Sequence, residues 1–183
     1  MPNKAVFLDR DGTLIEDKDY LRSPEEVVIY PGVPEALRRL TDAGFKLVIV
    51  TNQSGVGRGY FTLADVDNVH RYLLDGLKRA SGVRIDRIYV APEAPDQASR
   101  GRKPSPQFLF DARDELDIDL TQSYMVGDKL IDLACGWNGG LRRAILVRTG
   151  YGAKIELQKT PELARAIIVD DFPAATEWIL RDL

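Results

Sequence analysis

The rhythm of apolar residues constrains this chain more than any other feature. Short apolar runs, each long enough for one strand, alternate with longer stretches whose apolar residues recur at helical spacing. That alternation predicts a parallel sheet with helices on both faces, because consecutive parallel strands need a crossover between them. Strands are expected at Ala5–Leu8, Lys46–Val50, Arg87–Val90, Ser123–Val126 and Ala144–Val147, with a weaker sixth near Ala166–Val169. Val33, Leu37 and Leu40 mark a helix, with Pro34 near its start and Gly44 just past its end, as helix termini prefer. Thr62-Leu-Ala-Asp65 reads as a capping box opening a helix that reaches the neighbourhood of Arg79. Further helices are expected from Ser105-Pro106, over Leu130 to Trp137 and over Phe172 to Leu180. No repeat, low-complexity tract or linker interrupts the pattern. The expected architecture is one α/β domain over residues 1–183, a doubly wound, Rossmann-like parallel sheet.

Such a sheet binds ligands beyond the carboxyl ends of its strands, near the point where strand order reverses. Asp9-Arg10-Asp11-Gly12-Thr13 follows the first strand, and Thr51-Asn52-Gln53-Ser54-Gly55 follows the second. Arg102-Lys103-Pro104 precedes the Ser105 helix, and Gly127-Asp128-Lys129 follows the fourth strand, with Asp132 one helical turn on. These parts suit phosphoryl transfer. A carboxylate at Asp9 attacking a phosphate dianion faces charge repulsion, so positive charge must be imported. A hard divalent cation on oxygen ligands does this, and magnesium is the usual choice. Asp9 and Asp128 are the side-chain ligands expected. Lys103 adds a fixed charge, while the Thr51 hydroxyl and the Asn52 N–H can hold phosphate oxygens. Asp11 is placed to protonate the leaving alcohol and then deprotonate the attacking water. Gly12 permits a tight turn.

Composition narrows the partners. The 183 residues carry a formal charge of −3, so the broad basic surface that nucleic acid requires is absent and no nucleic-acid partner is expected. The single cysteine, Cys135, cannot form an internal disulfide. It reads as a small buried hydrophobe, and His70, the one histidine, as a packing residue on an apolar helix face. The run Ala5 to Leu8 is too short for a signal peptide, and no apolar stretch approaches the roughly 20 residues that span a bilayer. The expectation is a cytoplasmic protein with no membrane partner.

Other readings fit less well. A calcium loop places glycine sixth, whereas here Gly12 is fourth from Asp9. Gly55-x-Gly57-x-Gly59 brings its third glycine one residue early for a dinucleotide fingerprint, and reads as a loop entering the Thr62 helix. A receiver-like phospho-acceptor module also gathers acids, a Thr and a Lys, but has no Asp-x-Asp-Gly-Thr at its first strand. A catalytically dead metabolite binder is disfavoured by the complete set Asp9, Asp11, Lys103 and Asp128.

DRDGT (9–13), TNQSG (51–55), RKP (102–104) and GDKLID (127–132) together resemble the motifs of the haloacid dehalogenase superfamily of aspartate-nucleophile phosphatases. LDRDGT, VTNQSG followed by RG, SYMVGDK and LVRTG resemble its branch of heptose-bisphosphate and histidinol-phosphate phosphatases. The resemblance implies Asp9 as nucleophile, Asp11 as acid and base, and Thr51 and Lys103 as phosphate-stabilising residues. It places magnesium on Asp9, Asp128 and the Asp11 backbone carbonyl, with Lys129 counted among the metal-site residues. Substrate contacts are implied from Asp17, Lys18, Asp19, Tyr20, Asn52, Gln53, Ser54 and Arg102. The expected substrate is a small phosphorylated sugar, foremost D-glycero-D-manno-heptose 1,7-bisphosphate losing its 7-phosphate on the way to lipopolysaccharide core. Histidinol phosphate or another sugar phosphate is the alternative. The spacing of the motifs leaves no room for a separate cap domain, and a monomer or weak oligomer is expected.

One departure stands out. The branch usually carries a zinc loop of three cysteines and a histidine before RKP, yet residues 91–102 here contain neither residue type. No zinc is expected, since a tetrahedral structural site needs such ligands. Pro92, Pro95 and local hydrogen bonds must shape this loop instead.

Overall fold

Each apolar run becomes a strand in the computed structural model, which describes residues 2–183. The strands are β1 (Lys4–Leu8), β2 (Phe45–Asn52), β3 (Arg87–Ala91), β4 (Tyr124–Gly127), β5 (Arg143–Val147) and β6 (Ile167–Val169). They form one sheet in the order β3-β2-β1-β4-β5-β6, and every pairing is parallel. Order therefore reverses between β1 and β4, which places the ligand crevice of such a sheet beyond Leu8 and Gly127.

Alternate side chains face opposite ways along a strand, so the two faces bury separate cores. Val6, Leu8, Leu47, Ile49, Val126 and Val147 belong to one cluster. Ala5, Phe7, Val48, Val50, Met125 and Leu146 belong to the other. Leu37 and Leu40 of α1 (Val33–Asp42), Leu73 and Leu77 of α3 (Leu63–Ser81) and Ile179 of α7 (Phe172–Arg181) pack into the first. Leu109 of α4 (Gln107–Leu116) and Leu133 of α5 (Leu130–Asn138) pack into the second. Every one of these side chains is at most 1% exposed, and burying each large aliphatic group is worth about 1.5–3 kcal/mol. The helix ends obey local chemistry. Thr62 and Asp65 exchange capping bonds of 3.2 and 2.8 Å, and Gly82 closes α3 in the left-handed region.

Three features differ from the sequence reading. β2 continues through Thr51 and Asn52, because these pair with Val90 and Ala91 of β3. Ser54–Gly57 forms one helical turn, α2, closed by Arg58 N–H donating to Ser54 O at 3.0 Å, where a loop was expected. A short helix, α6 (Gly152–Leu157), lies beyond β5; it buries only Gly152, so it shows no apolar periodicity to read. No further sheet or inserted cap accompanies these elements among the described residues, and no helix is long and apolar enough to cross a membrane.

Candidate active site

The parallel register carries Asp9 to the mouth of the switch point. Leu8 pairs with Val126, and the Asp9 N–H donates to Val126 O at 2.9 Å, so Asp9 stands beside Gly127 and the following Asp128. Lys103 reaches in from the loop before α4, with its Nζ 2.8 Å from Asp9 Oδ1 and 2.6 Å from Asp132 Oδ1. All three side chains are buried, as is Asp128. Burial alone would strip the ammonium of its proton; Asp132 and Asp9 overcome this and hold Lys103 charged. Burial likewise opposes ionisation of Asp9, yet Lys103, and behind it Lys129, keep that carboxyl below the usual carboxylate range. Asp132 also turns to Lys129: its Oδ2 accepts the Lys129 N–H at 3.0 Å and caps α5.

Asp128 is the member left short of positive charge. Burial, then repulsion from Asp9, pushes its carboxyl up to about 8. Oδ2 accepts the Tyr151 N–H at 2.8 Å, while Oδ1 is buried with no hydrogen-bond partner. An orphaned acceptor of this kind is costly unless something fills the place beside it. Ligand atoms of Asp9, Asp128 and Asp132 all lie within 4.8 Å of one another. Hard carboxylate oxygens at that spacing fit a magnesium ion. Two glycines fix the carboxylate: a Cβ on Gly12 (φ +81°) or Gly150 (φ +56°) would fall 2.2 Å from Asp128 Oδ2. The turn after Asp11 is therefore glycine for its φ and for this close approach. Lys129 does not qualify as a metal ligand. Its Nζ sits 3.0 Å from Asp17 Oδ2, and Asp128, Asp9 and Asp17 keep it protonated against burial, so it has no lone pair to offer.

Asp11 and Thr51 are joined by Gln53, whose Nε2 donates to Asp11 Oδ2 at 3.0 Å and to Thr51 Oγ1 at 2.8 Å. Thr51 is buried with its hydroxyl proton still free to donate. Asn52 has a part that the sequence reading did not include. Its side chain clamps the Lys103 backbone, donating to Lys103 O at 3.1 Å and accepting from Lys103 N at 3.0 Å. The carboxamide thus aims Lys103, while Asn52 itself lines the cleft beside the cluster.

A polar cleft of about 230 Å³ adjoins the cluster, lined by Asp11, Asp17, Asp19, Tyr20, Asn52, Gln53, Ser54, Lys129 and Tyr151 among others. Asp19 and Tyr20 take up positive φ of 42° and 64°, an uncommon conformation held by specific bonds. Asp17 Oδ1 accepts the Asp19 N–H at 3.1 Å, and Asp19 Oδ1 accepts the Tyr151 hydroxyl at 2.9 Å. Tyr151 was not expected from the sequence; it follows LVRTG in the chain, and only the fold brings it over Asp19. Lys18 does not line the cleft, and its Nζ lies 3.8 Å from Glu16 Oε2.

Residues 92–102 are shaped by hydrogen bonds. Ser99 Oγ donates to Glu93 Oε2 at 2.6 Å and accepts the Arg102 N–H at 3.1 Å, and Arg102 Nη1 donates to Glu93 O at 3.0 Å. Gln97 Oε1 accepts the Ala94 N–H at 2.8 Å, and Gly57 N–H donates to Pro92 O at 2.8 Å. Arg102 lies outside the cleft lining; burial, then repulsion from Arg58, lowers its proton affinity. A Cβ on Gly57 would fall 2.5 Å from Ala94 N and 2.4 Å from Gln97 Oε1. Gly57→Ala must therefore displace backbone. Its expected outcome is a substrate KM raised about tenfold, with kcat within about twofold of the parent, since a shift away from the reacting atoms weakens binding uniformly. Steady-state kinetics check it.

Cys135 is buried, its thiol pushed up to about 12 by burial, as its packing role requires. His70 is buried too, but it also meets Arg10, a side chain that the sequence reading passed over.

Comparison with known proteins agrees with this geometry. A family model described as HAD-hydrolase-like matches residues 101–175, and one described as polynucleotide kinase 3 phosphatase matches residues 4–132. The D-glycero-beta-D-manno-heptose-1,7-bisphosphate 7-phosphatase of Haemophilus ducreyi is 40% identical over 94% of this chain and 98% of its own. The corresponding 7-phosphatase of Thermosynechococcus vestitus is 37% identical over 100% of this chain and 98% of its own. Among solved structures, a D,D-heptose 1,7-bisphosphate phosphatase from B. bronchiseptica complexed with magnesium and phosphate superposes with a TM-score of 0.89. It is 35% identical, covering 98% of this chain and 99% of that one.

Proposed function

The chain belongs to the heptose-1,7-bisphosphate 7-phosphatase family of HAD-like hydrolases, and from that premise we propose that it removes the 7-phosphate of D-glycero-D-manno-heptose 1,7-bisphosphate through an aspartyl-phosphate on Asp9. The observation that carries the covalent step is the ion contact of Asp9 with buried Lys103 at 2.8 Å, beside the orphaned oxygen of Asp128. An ionised, desolvated carboxylate fixed at a strand end is a nucleophile already paid for by its surroundings.

Asp9 and Asp128 hold magnesium in this reading, with the Asp11 carbonyl as the third protein ligand. When bound, the ion supplies Lewis-acid charge that offsets repulsion between Asp9 and the phosphate. The remaining steps fall to the chain. A carboxylate oxygen of Asp9 bonds to phosphorus as the phosphorus–alcohol oxygen bond breaks. Asp11 gives its proton to the departing alcohol oxygen. Asp11 then takes a proton from water, whose oxygen displaces Asp9 from phosphorus and frees inorganic phosphate. Lys103 and the Thr51 hydroxyl hold the phosphoryl oxygens throughout.

The cleft suits a small ester. Its acidic lining and the formal charge of −3 repel a polyanionic strand, while the sugar hydroxyls of a heptose can donate to Asp17 and Asp19. Arg58 and Arg102 lie close enough to repel one another, and in this reading a second phosphate would offset that repulsion, since arginine binds such groups bidentately. The residues of the 92–102 loop do not fit zinc, and hydrogen bonds hold that loop in its stead. A bisphosphate does not cross a bilayer unaided, which favours a cytoplasmic setting, where lipopolysaccharide precursors are assembled.

Phosphate release from heptose 1,7-bisphosphate and from histidinol phosphate, with magnesium and with a chelator, tests the reading. The expected result is a kcat/KM at least about tenfold higher for the heptose, a difference of about 1.4 kcal/mol in transition-state binding. Activity should vanish with chelator and return with magnesium. A tenfold preference for histidinol phosphate overturns the substrate; turnover undiminished by chelator overturns the metal.

A further inference from the structure

Arg10 is among the largest fully buried side chains of the protein, at 1% exposure, and no step above uses it. Its guanidinium grips the neighbouring Asp11 on two edges, Nε donating to Oδ2 at 2.9 Å and Nη2 to Oδ1 at 3.1 Å. The remaining nitrogen, Nη1, lies 3.1 Å from His70 Nε2 on α3, sixty positions away in the chain. A guanidinium has only donors to offer, so His70 Nε2 must be the acceptor and the imidazole must be neutral. Burial, then the Arg10 charge, lowers the imidazole to about 3, which keeps that lone pair available at neutral pH.

Burying a guanidinium is expensive, and it is not needed here to neutralise a hidden charge, because the Asp11 side chain is 17% exposed and open to the cleft. What the arrangement supplies is direction. A planar fork fixes both carboxylate oxygens, and an acceptor on a rigid helix fixes the fork. Nucleophile and base sites in many hydrolases follow the same logic, with the proton carrier oriented by a third group. We propose that His70 and Arg10 are positioning residues that aim the Asp11 carboxylate, so that the proton reaches the leaving oxygen along one fixed direction. This rests on the reading of Asp11 as the acid and base.

Leaving-group dependence separates the two ideas. An alkyl phosphate needs its departing oxygen protonated, whereas p-nitrophenolate leaves without help. With magnesium present, kcat/KM is measured for a sugar phosphate and for p-nitrophenyl phosphate in the parent, Asp11→Asn, His70→Leu and His70→Gln. Asp11→Asn is expected to lose at least about 10²-fold more on the sugar phosphate than on the aryl ester. His70→Leu, which removes the acceptor, should lose about tenfold more on the sugar phosphate, as misalignment of a reacting group costs. His70→Gln, whose Oε1 restores an acceptor near the place of Nε2, should recover most of that ratio. The ratio on one sample is independent of how much enzyme is folded. If Asp11→Asn discriminates but His70→Leu reduces both substrates alike, or neither, the relay is refuted and His70 only packs. If Asp11→Asn shows no discrimination, the assignment of Asp11 fails and the relay with it.

Discussion

Asp9→Asn loses more than about 99% of turnover while the protein remains at least as stable as its parent. Loss of acid–base help alone costs about 10²–10⁴-fold, and an amide at this position cannot make the attack on phosphorus that a carboxylate makes. The stability half follows from charge. Asp9, Asp128 and Asp132 share a space within which their ligand atoms lie no more than 4.8 Å apart, and the Lys103 ammonium touches two of them. Neutralising Asp9 leaves the contact of Lys103 with Asp132 intact and, although burial still raises Asp128, removes the repulsion that adds to it. Phosphate release and the thermal midpoint, measured on the same preparation, check both halves. Retention of more than about 1% of activity excludes covalent catalysis at this residue, given the size of acid–base effects. A large fall in midpoint excludes the account of the charges.

Lys103→Met is the converse, losing activity and stability together. The ammonium is 1% exposed and is the sole cation in contact with Asp9 and Asp132 among the described residues. Removing one partner from a buried ion pair costs about 3–5 kcal/mol, because the carboxylates stay buried without compensation. Removing one donor to the developing phosphoryl charge costs about 10²–10³-fold in rate. Magnesium should restore part of the stability but little of the rate, since a ligand that binds only the folded state adds about 2.7 kcal/mol at a hundred times its Kd. Denaturant melts with and without magnesium, alongside kcat, measure this. A variant as stable as the parent without metal would show that the cluster does not carry the charge assigned to it.

These two residues were legible from one dimension because each sits in a short motif, Asp9 just past a strand and Lys103 just ahead of a helix. Asp9 follows four apolar residues, and any parallel strand so placed delivers its next side chain to the rim of the sheet. For Asp132 the sequence shows only its place one helical turn past Asp128; packing brought it to Lys103, and its backbone position made it the cap of α5 as well. Asn52 shows the limit of motif reading. Nothing in TNQSG tells that the amide is used up on a backbone fifty-one positions away. Lys129 was misplaced among the metal-site residues for a related reason: a flexible cation in a loop takes a nearby carboxylate, here Asp17, and only coordinates show which.

What the sequence determined by itself is the periodic burial, hence the parallel sheet, and the acidic and basic residues at the ends of its strands. Both are local properties, set by the two-residue repeat of a strand and by the chemistry of neighbours in the chain. The tertiary structure alone decided that β1 lies against β4, that Gly12 and Gly150 close on Asp128, and that Arg10 finds His70. Those contacts join segments far apart in the chain, and which segments meet depends on how the helices pack across both faces at once. No window of residues carries that information.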